Sequence, residues 1–487
     1  MNDIVVGAED ARSTRVQRAE LPLYVSRIKV YPKAVQGLYR RIKWAMLVAC
    51  LAAYYLAPWL RWDRGEGLPD QAVLVDMGGR RAFFFAIEIW PQEVYYLTGL
   101  LILGAFGLFL VTALMGRVWC GHFCPQTVWT DLFMWVERLI EGDRNQRMRL
   151  DKQPFGPAKA ARKIAKHAAW LVISISTGGA WVLYFNDAPT ITRELATLQA
   201  PVEVYFFVGL FSATTYTLAG WAREQVCTYM CPWPRFQGAM LDVHSLVVSY
   251  RAWRGEPRGK HKQGNSWDRR GDCVDCRACV VVCPTGIDIR DGQQLECIGC
   301  GLCIDACNEI MGKVGRPQGL IAFDTLHNLE ENAASRPSRH RLVRPRTLIY
   351  AGVLTAVAAI MSAGLALRST VELAVLRDRS PLFVTLADGA IRNAYTVKVL
   401  NKGRDAETFT LKVDGPTARL AIVGDGEVDA DGASATVEVK PDAVGTFRVT
   451  LRIERSVLAG EATPVVFHVD GRNSHASQAT LFLGPKS

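Results

Sequence analysis

Five stretches without a charged side chain constrain the fold of this chain more than any other feature. Each runs for at least 17 residues without Asp, Glu, Lys or Arg, over 44–60, 94–116, 167–186, 204–222 and 347–367. A bilayer core of about 30 Å needs roughly 20 apolar helical residues, whereas apolar runs of about 10–14 residues are typical of buried core helices in soluble proteins. The sequence therefore predicts five transmembrane helices, with five buried helices of a soluble protein as the alternative.

The basic residues predict an orientation in the membrane. Lys and Arg number 9 in segment 1–43, 4 in 61–93, 10 in 117–166, 1 in 187–203 and 18 in 223–346. Because cytoplasmic loops are enriched in Lys and Arg, the first, third and fifth of these segments are expected inside. Five helices then place the tail, 368–487, in the periplasm of a bacterial inner-membrane protein. This topology, together with contact between basic residues and anionic lipid headgroups, accounts for the net charge of +10. No nucleic-acid motif accompanies the positive charge.

The tail changes from helical runs to alternation of apolar and polar residues. Segments 383–386, 394–400, 408–413, 435–440, 446–453 and 465–469 alternate in this way, with Gly, Asp and Asn between them. A period of two residues indicates half-buried strands. Six or seven short strands in about 110 residues are typical of an antiparallel immunoglobulin-like β-sandwich. The tail contains no cysteine and no catalytic constellation, so it is expected to act in recognition or assembly.

Eight cysteines form the strongest chemical signal. Cys273, Cys276, Cys279 and Cys283 follow the spacing CxxCxxCxxxCP, and Cys297, Cys300, Cys303 and Cys307 repeat the spacing without the final proline. This is the spacing of a bacterial two-cluster ferredoxin, in which the fourth cysteine of each run ligates the other cluster. One 4Fe–4S cluster is therefore predicted on Cys273, Cys276, Cys279 and Cys307. The second is predicted on Cys297, Cys300, Cys303 and Cys283.

Zinc is the alternative occupant, because CxxC pairs also bind zinc tetrahedrally. Two complete four-cysteine runs with crossed partners favour iron–sulfur clusters over zinc. Disulfides are disfavoured on the reducing, cytoplasmic side of the membrane. Gly286, Gly299 and Gly301 are expected to permit close backbone approach around the clusters.

Two further cysteine pairs lie at the predicted membrane edge. Cys120 and Cys124 follow the second apolar window, Cys227 and Cys231 follow the fourth, and each pair has the form CxxxCP. The offset of 107 residues indicates a parallel repeat of two helical hairpins. Four thiols would then meet near the cytoplasmic face, where soft thiolates favour Cu(I), zinc or iron–sulfur groups. His122, Met230 and Met240 are candidate additional ligands. Cysteines that merely pack between helices are the alternative.

The complete set of motifs resembles one family. The two CxxxCP motifs, the run Tyr250-Arg-Ala-Trp-Arg-Gly-Glu-Pro-Arg-Gly, the two cysteine runs and the β tail occur in this order in the cytochrome c oxidase accessory proteins called CcoG, FixG or RdxA. The resemblance covers about residue 25 to the end. It implies assembly of a cbb-type haem–copper oxidase and reduction of Cu(II) to Cu(I) for a copper transporter or chaperone. Related proteins of the NapH and NosR type share the CxxxCP motif alone.

The predicted organisation has five parts. A cytoplasmic segment at 1–43 precedes a four-helix membrane domain at 44–222, with the second CxxxCP motif just beyond it at 227–232. A cytoplasmic segment at 223–346 holds the two-cluster domain at about 265–325. The fifth transmembrane helix is 347–367, and the periplasmic sandwich is 368–487. The fold class is thus multi-domain: an all-α membrane bundle, a ferredoxin-like module and an immunoglobulin-like sandwich.

Three functions remain open on the residues alone. The first is a cupric reductase in oxidase assembly, with copper at Cys120, Cys124, Cys227 and Cys231 and with His122 as a further ligand. The second is a quinone-linked electron conduit of the NapH and NosR type. The third is a non-catalytic assembly scaffold. The expected partners are membrane lipid, a copper transporter or chaperone, oxidase assembly factors and a cytoplasmic electron donor, with no nucleic acid. A homodimer is left open.

Overall fold

A computed structural model describes residues 29–485 except 66–67, 262–265, 404, 424–425, 442, 459 and 473. The predicted cytoplasmic segment 1–43 thus lies mostly outside the described residues. The chain divides into two compact units, Met1–Ala358 and Ala359–Ser487. Each unit is described by itself below.

Long helices dominate the first unit. The helices before the cysteine runs are α1 (Leu38–Leu56), α2 (Tyr95–Met115), α3 (Pro125–Glu141), α4 (Arg144–Lys152), α5 (Pro157–Val182), α6 (Ala188–Ala196), α7 (Val202–Thr215) and α8 (Trp233–Met240). Those that follow are α9 (Ala252–Gly255), α10 (Ala278–Val281), α11 (Leu302–Lys313), α12 (Leu326–Ala333) and α13 (Pro345–Ala366). The last of these runs on past the boundary of the unit.

Four stretches of helix in the described part of the chain are long and apolar enough to cross a membrane. They are Leu38–Trp59, Tyr95–Met115, Val202–Ala222 and Pro345–Ala366. The prediction of five was therefore wrong in number. The missing one, 167–186, falls on α5, a helix of 26 residues. Lys and Arg occupy the first half of α5, and Ser, Thr and Gly interrupt its second half, so the helix is long enough but not apolar enough.

The helix α5 nevertheless runs between the same two ends of the unit as its neighbours. It packs closely against α7, and its last turn reaches a small antiparallel sheet of β1 (Val73–Asp76), β2 (Arg81–Phe84) and β3 (Ile87–Ile89). The backbone N–H of Val75 donates to the Tyr184 carbonyl at 2.8 Å. This sheet corrects the prediction that 44–222 is all-α. Its strands are only three or four residues long, too short for a clear period of two.

A buried charge network holds the other end of the unit together. Asp131 on α3 accepts two hydrogen bonds from Arg40 at 2.9 and 3.0 Å. Glu137 lies further along the same helix. Its Oε2 is 2.9 Å from Arg147 Nη1 and 3.0 Å from Arg223 Nη2. Buried charges are retained only when they are paired, because removing a charge from water costs several kcal/mol or more. The pairs therefore fix α1, α3 and α4 relative to the chain that leaves α7.

The segment with the two cysteine runs folds beside this end. Strand β4 (Val247–Tyr250) pairs antiparallel with β5 (Ile321–Asp324), so that Val247 lies opposite Asp324. The core behind this ribbon contains Ile304, Met311 and Leu320, all at least 97% buried. Cysteines of both runs belong to the same core. The helices α10 and α11 therefore carry their cysteines into one apolar interior.

The second unit is a two-layer β-sandwich, as predicted. Its strands are β6 (Val371–Arg377), β7 (Val384–Thr385), β8 (Ile391–Asn401), β9 (Glu407–Asp414), β10 (Ala418–Val423), β11 (Glu427–Val428), β12 (Ser434–Val439), β13 (Ala443–Ile453), β14 (Ala462–Asp470) and β15 (His475–Leu483). One sheet has the order β10-β13-β8-β6, with β7 also paired to β8, and the other has the order β11-β12-β9-β14-β15. Tyr395, Phe409 and Phe467 are fully buried between the sheets. The alternation that predicted the strands thus fills one continuous core.

Candidate metal centres

The two cysteine runs adopt the same backbone conformation. Asp275 and Arg277 lie two and four residues after Cys273 and have φ of 53° and 54°. Gly299 and Gly301 lie at the same offsets after Cys297 and have φ of 68° and 74°. Two left-handed residues in each loop curl the backbone so that successive cysteines turn to one side. The left-handed region costs a residue with Cβ about 1–2 kcal/mol, so the first loop accepts strain that the second avoids with glycine.

The first predicted cluster site is a cavity with cysteines from both runs. Cys273, Cys276, Cys279 and Cys307 all line one small cavity. Cys307 arrives from the second run because it lies on α11, one turn after Cys303. The remaining walls are largely apolar. Cys276 is exposed, which places this cavity near the surface of the unit.

The second predicted cluster site lies directly behind the first. Cys283, Cys297, Cys300 and Cys303 line another small cavity, and Cys279 borders both cavities. The structure thus gathers each predicted four-cysteine set around its own cavity, with the fourth member crossing over. That each set ligates a cluster stays a prediction from the sequence.

The chemistry of these cavities suits iron–sulfur clusters. Burial raises the pKa of the Cys297 and Cys307 thiols to about 12, and neighbouring cysteines raise each further. Four thiolates can therefore coexist here only with a cationic group between them. No three His, Cys, Asp or Glu side chains in the described part of the chain are close enough to hold one metal ion. The preference for iron–sulfur clusters over zinc rests on the spacing of the two cysteine runs.

The two CxxxCP motifs also share one local structure. A π-helical turn covers Trp119–Phe123, and another covers Val226–Met230. The N–H of Cys124 donates to the Trp119 carbonyl at 2.9 Å, and the N–H of Cys231 donates to the Val226 carbonyl at 2.7 Å. A proline can directly follow each cysteine pair, because the residues at the start of a helix need no backbone N–H donor. The repeat predicted from the offset of the cysteines is thus matched in backbone detail.

The four CxxxCP thiols are neighbours, but they do not converge on one ion. Burial raises the pKa of Cys120 to about 12, and Cys124, Cys227 and Cys231 contribute to its electrostatic environment. Burial likewise raises the pKa of Cys227 to about 11, with Cys124 and Cys231 adding to the shift. No described group of three or more of these side chains has single-ion geometry. The structure therefore shows four neighbouring thiols without a closed site for one ion among the described residues.

The three additional ligand candidates have different surroundings. His122 is 5% exposed, its Nδ1 lies 3.3 Å from the Val118 carbonyl, and its Nε2 has no hydrogen-bond partner among the described residues. Met240 accepts a contact from the Tyr350 hydroxyl at 3.5 Å, whereas Met230 is 64% exposed. His122 is thus the buried candidate with an uncommitted nitrogen.

The first CxxxCP motif is in backbone contact with the second cluster loop. A Cβ on Gly121 would lie 2.9 Å from the Ile298 carbonyl oxygen and 3.0 Å from the Cys300 Cα and N. A Cβ on Gly299 would lie 3.2 Å from Arg117 backbone atoms. Cys120 packs into the same apolar cluster as Ile298 and Cys300. The two loops are therefore interlocked through two glycines.

Two buried cations flank this contact, and sequence reasoning missed both. Arg117 donates to the carbonyls of Leu295, Cys297 and Pro234, and burial lowers its pKa. Lys43 is 3% exposed and lines a small cavity with Cys227 and Ile298. In the sequence each resembles an ordinary basic residue at a membrane edge, and only the tertiary contacts distinguish them.

Comparison with known proteins adds three family matches. A 4Fe–4S dicluster domain matches residues 222–326, and a 4Fe–4S binding domain matches residues 97–142. An Ig-like fold at the C-terminus of FixG matches residues 361–485. The nitrogen fixation protein FixG of Rhizobium meliloti is 49% identical over 93% of this chain and 92% of its own length.

The chain belongs to the FixG/RdxA family. Protein RdxA of Cereibacter sphaeroides is also 49% identical, over 88% of this chain and 90% of its own length. A crystal structure of a FixG-related protein from Vibrio parahaemolyticus covers 23% of this chain and 95% of its own, with 22% identity and a TM-score of 0.20. This FixG/RdxA protein is thus an iron–sulfur electron-transfer protein with membrane-spanning helices and an Ig-like C-terminal domain.

Proposed function

We propose that the chain passes single electrons from two 4Fe–4S clusters to Cu(II) bound at the CxxxCP thiols, and that it serves cbb-type oxidase assembly by supplying Cu(I). The observation that carries the proposal is the contact between Gly121 and the Ile298–Cys300 backbone. It brings one CxxxCP loop to van der Waals distance from a cluster loop. The resemblance to oxidase accessory proteins supplies the copper and assembly parts of the proposal.

The chain's own residues would hold both redox partners. Cys273, Cys276, Cys279 and Cys307 would hold one cluster, and Cys297, Cys300, Cys303 and Cys283 the other. Each cluster, when bound, accepts and releases one electron at a time. Cys120 packs against the apolar cluster that contains Ile298 and Cys300, so the residues around the contact would exclude water and set the separation of the two loops.

Copper is the substrate of the proposed reaction. One Cu(II) gains one electron and becomes Cu(I), which soft thiolates bind in preference to harder ligands. The neighbouring CxxxCP thiols are the soft ligands that Cu(I) prefers. His122 Nε2 is available as a further ligand. Gln237 Oε1 accepts from Cys120 Sγ at 3.1 Å and so orients that thiol.

The sidedness of the protein forms part of the proposal. The basic residues favour a cytoplasmic location for the two cysteine runs. The helix α13 follows them and is itself a candidate membrane span, so the β-sandwich would be periplasmic. There it would contact oxidase assembly factors or a copper transporter. The opposite locations of the cysteine runs and the β-sandwich require only that α13 crosses the membrane, whatever the total number of spans.

The decisive experiment replaces the four CxxxCP cysteines by serine. The C120S/C124S/C227S/C231S variant, purified anaerobically, should keep its iron and sulfide content while it loses Cu(I) binding and the reduction of added Cu(II) by dithionite-reduced protein. Serine keeps the side-chain size but offers a hard, protonated oxygen. Cys50→Ser is the matched control, because Cys50 is the one cysteine outside all four motifs. Unchanged copper binding and reduction in the quadruple variant would refute the copper site.

A further inference from the structure

A large cavity opens beside the second cluster site. Its volume is about 380 Å³, and it is lined by Cys297 and Gly299 of the cluster loop, by α8 and the chain after it, and by residues 289–295. Small-molecule sites are typically about 300–1,000 Å³. The cavity therefore has the size of a ligand site and shares a wall with a predicted cluster ligand. Neither the cysteine motifs nor the copper proposal uses it.

The cavity lies at the end of a membrane-spanning helix. Arg117, which lines it, follows α2 by two residues. The chain after α8 is tied to α2, because the Leu246 N–H donates to the Leu114 carbonyl at 3.2 Å. Arg346 on α13 donates to the Met240 carbonyl at 3.0 Å. Two candidate membrane helices thus meet this wall of the cavity, so a lipid-soluble molecule can reach it from the bilayer edge.

The lining combines an apolar surface with a few polar groups. Val243, Leu295 and Leu326 line the cavity and are 50%, 54% and 36% exposed, so the cavity has an apolar rim. Asp242 and Gln293 also line it. Gly238 contributes no side chain, and a Cβ there would lie 3.3 Å from Leu295 and 3.8 Å from Arg117. A larger residue at Gly238 would therefore press on Leu295 and Arg117, which both belong to the cavity wall.

We propose that this cavity binds a membrane quinol and is the entry point for electrons. The proposal rests on the iron–sulfur electron-transfer function and names its donor; it does not depend on copper. The ring would lie against the apolar side chains of the wall, a ring oxygen would meet Gln293, and the isoprenoid tail would leave past the apolar rim. Asp242 is already paired with Arg344. Arg117 lies between this cavity and the cluster loop, where its charge favours an added electron.

The reaction balances with the groups already described. One quinol loses two electrons and two protons and becomes a quinone. The protons would pass to water at the open side of the cavity, and the electrons would leave singly to a cluster held in part by Cys297. Two clusters, one held by each four-cysteine set, would match the two electrons of one quinol. Two Cu(II) ions would then be reduced for each quinol oxidised.

The lining disfavours a soluble nucleotide donor. Phosphates are usually bound by glycine-rich loops at helix N-termini or by clustered cations. The cavity has one cationic side chain, Arg117, and its guanidinium already donates to three carbonyls. A dinucleotide would bring two phosphates to this surface without further cations among the lining residues. An uncharged quinol needs none.

The test uses the full-length, cluster-loaded protein in detergent. The probe is ubiquinone with one isoprene unit, measured by equilibrium dialysis, and its quinol, measured by anaerobic loss of cluster absorbance. Gly238→Leu should weaken quinone binding and slow quinol-dependent reduction by about tenfold or more, equivalent to about 1.4 kcal/mol. Iron content and reduction by dithionite should not change. Gly312→Leu is the matched control, because a side chain at Gly312 meets nothing within 4 Å.

A second variant keeps the test valid if Gly238→Leu fails to fold. Gln293→Leu keeps the size of the side chain and removes its hydrogen bonding, and it should weaken quinone binding with normal iron content. Wild-type binding and reduction in both variants would overturn the proposal, as would saturable binding of phospholipid that the quinone cannot displace. Loss of quinol-dependent reduction with intact dithionite-driven Cu(II) reduction would support the quinol site independently of the copper site.

Discussion

Gly121 and Cys300 touch through their backbones, since a Cβ on Gly121 would lie 3.0 Å from the Cα of Cys300. A Cβ closer than 3.0 Å to another atom forces a shift, and one at 3.0–3.4 Å requires its neighbour to give way. The neighbours of Gly121 are backbone atoms of Ile298 and Cys300. Gly121 is therefore a position at which the separation of the two predicted metal centres can be changed without replacing a cysteine.

Gly121→Leu should separate the CxxxCP loop from the cluster loop. Displacement by about 1 Å can cost up to about 100-fold in rate, so Cu(II) reduction by dithionite-reduced protein should fall by between about tenfold and 100-fold. Iron content and Cu(I) binding should persist. Gly104→Leu is the control, because a side chain at Gly104 in α2 meets nothing within 4 Å. Full activity of Gly121→Leu would show that electrons take another route.

Lys43→Met should make the second cluster harder to reduce. Lys43 is buried beside this site, and its charge counters that of the Cys300 thiolate. Removing a positive charge destabilises the more negative, reduced state, so the midpoint potential should fall by roughly tens of millivolts at an effective dielectric of about 20. Redox titration followed by EPR measures the shift. Lys43→Arg, which keeps the charge, should restore most of the potential, and an unchanged potential in Lys43→Met contradicts the assignment.

Glu137→Gln should destabilise the first unit at neutral pH. Burial alone would raise the pKa of Glu137, but Arg223, Arg147 and Lys166 outweigh burial and hold its pKa below the ordinary value. Removing one member of a buried ionic network costs about 3–5 kcal/mol. A lowered pKa stabilises the folded state above the unfolded pKa of about 4.3 and loses this contribution as pH falls through the folded value.

The loss should therefore be large at pH 7 and should shrink as pH falls through 4. Thermal unfolding of the detergent-solubilised variant and wild type across this range measures it. Glu309→Gln is the control, because Glu309 is 53% exposed beside Lys313 and exposed pairs contribute about 0–1 kcal/mol. An equal effect of both substitutions would show that burial of the network is unimportant.

Reporter fusions test the proposed topology. A reporter joined after Lys313 should be cytoplasmic, and one joined after Lys486 should be periplasmic, because α13 lies between them and is a candidate span. Paired alkaline phosphatase and fluorescent protein fusions distinguish the compartments. The same compartment for both reporters would mean that α13 lies along the membrane or inside the protein rather than across the bilayer.

Truncation after Ser369 should leave the metal centres intact. The sandwich has its own core, and all cysteines precede it. The shortened protein should thus keep its iron content and its reduction of Cu(II) in vitro, while oxidase assembly in cells should fail. Phe467→Ala in the full chain should act similarly in cells, because deleting a fully buried Phe costs about 3–5 kcal/mol. Loss of iron on truncation would show that the sandwich is required to fold the first unit.

The sequence predicted the grouping of the cysteines well, because their spacing is a local property. The crossing of Cys283 and Cys307 between cavities follows from spacing alone, and the strands of the sandwich follow from alternation. The backbone of the first cluster loop was less predictable, since Asp275 and Arg277 occupy left-handed positions where glycine would have signalled the turn.

The remaining features depend on tertiary contact. Arg147 is 1% exposed, although a basic residue in a loop-rich segment is usually solvated. Its burial with Glu137 requires α4 to fold back on α3, which composition does not reveal. The contact of Gly121 with Cys300 could not be predicted either, because the two residues are 179 positions apart in the sequence. The prediction of a membrane span on α5 is wrong because a segment without charged residues need not be apolar. Ser, Thr and Gly are neither charged nor strongly apolar.

The contacts of Gly121 and Gly299 imply that electrons pass between two fixed sites rather than on a mobile carrier domain. A tethered carrier must leave one partner to meet the next, so its throughput falls as solvent viscosity rises. Gly121 and Gly299 are each packed against the opposite loop, and neither loop can depart without opening the apolar cluster around Cys120. Throughput between the two metal centres should therefore be indifferent to added glycerol or sucrose.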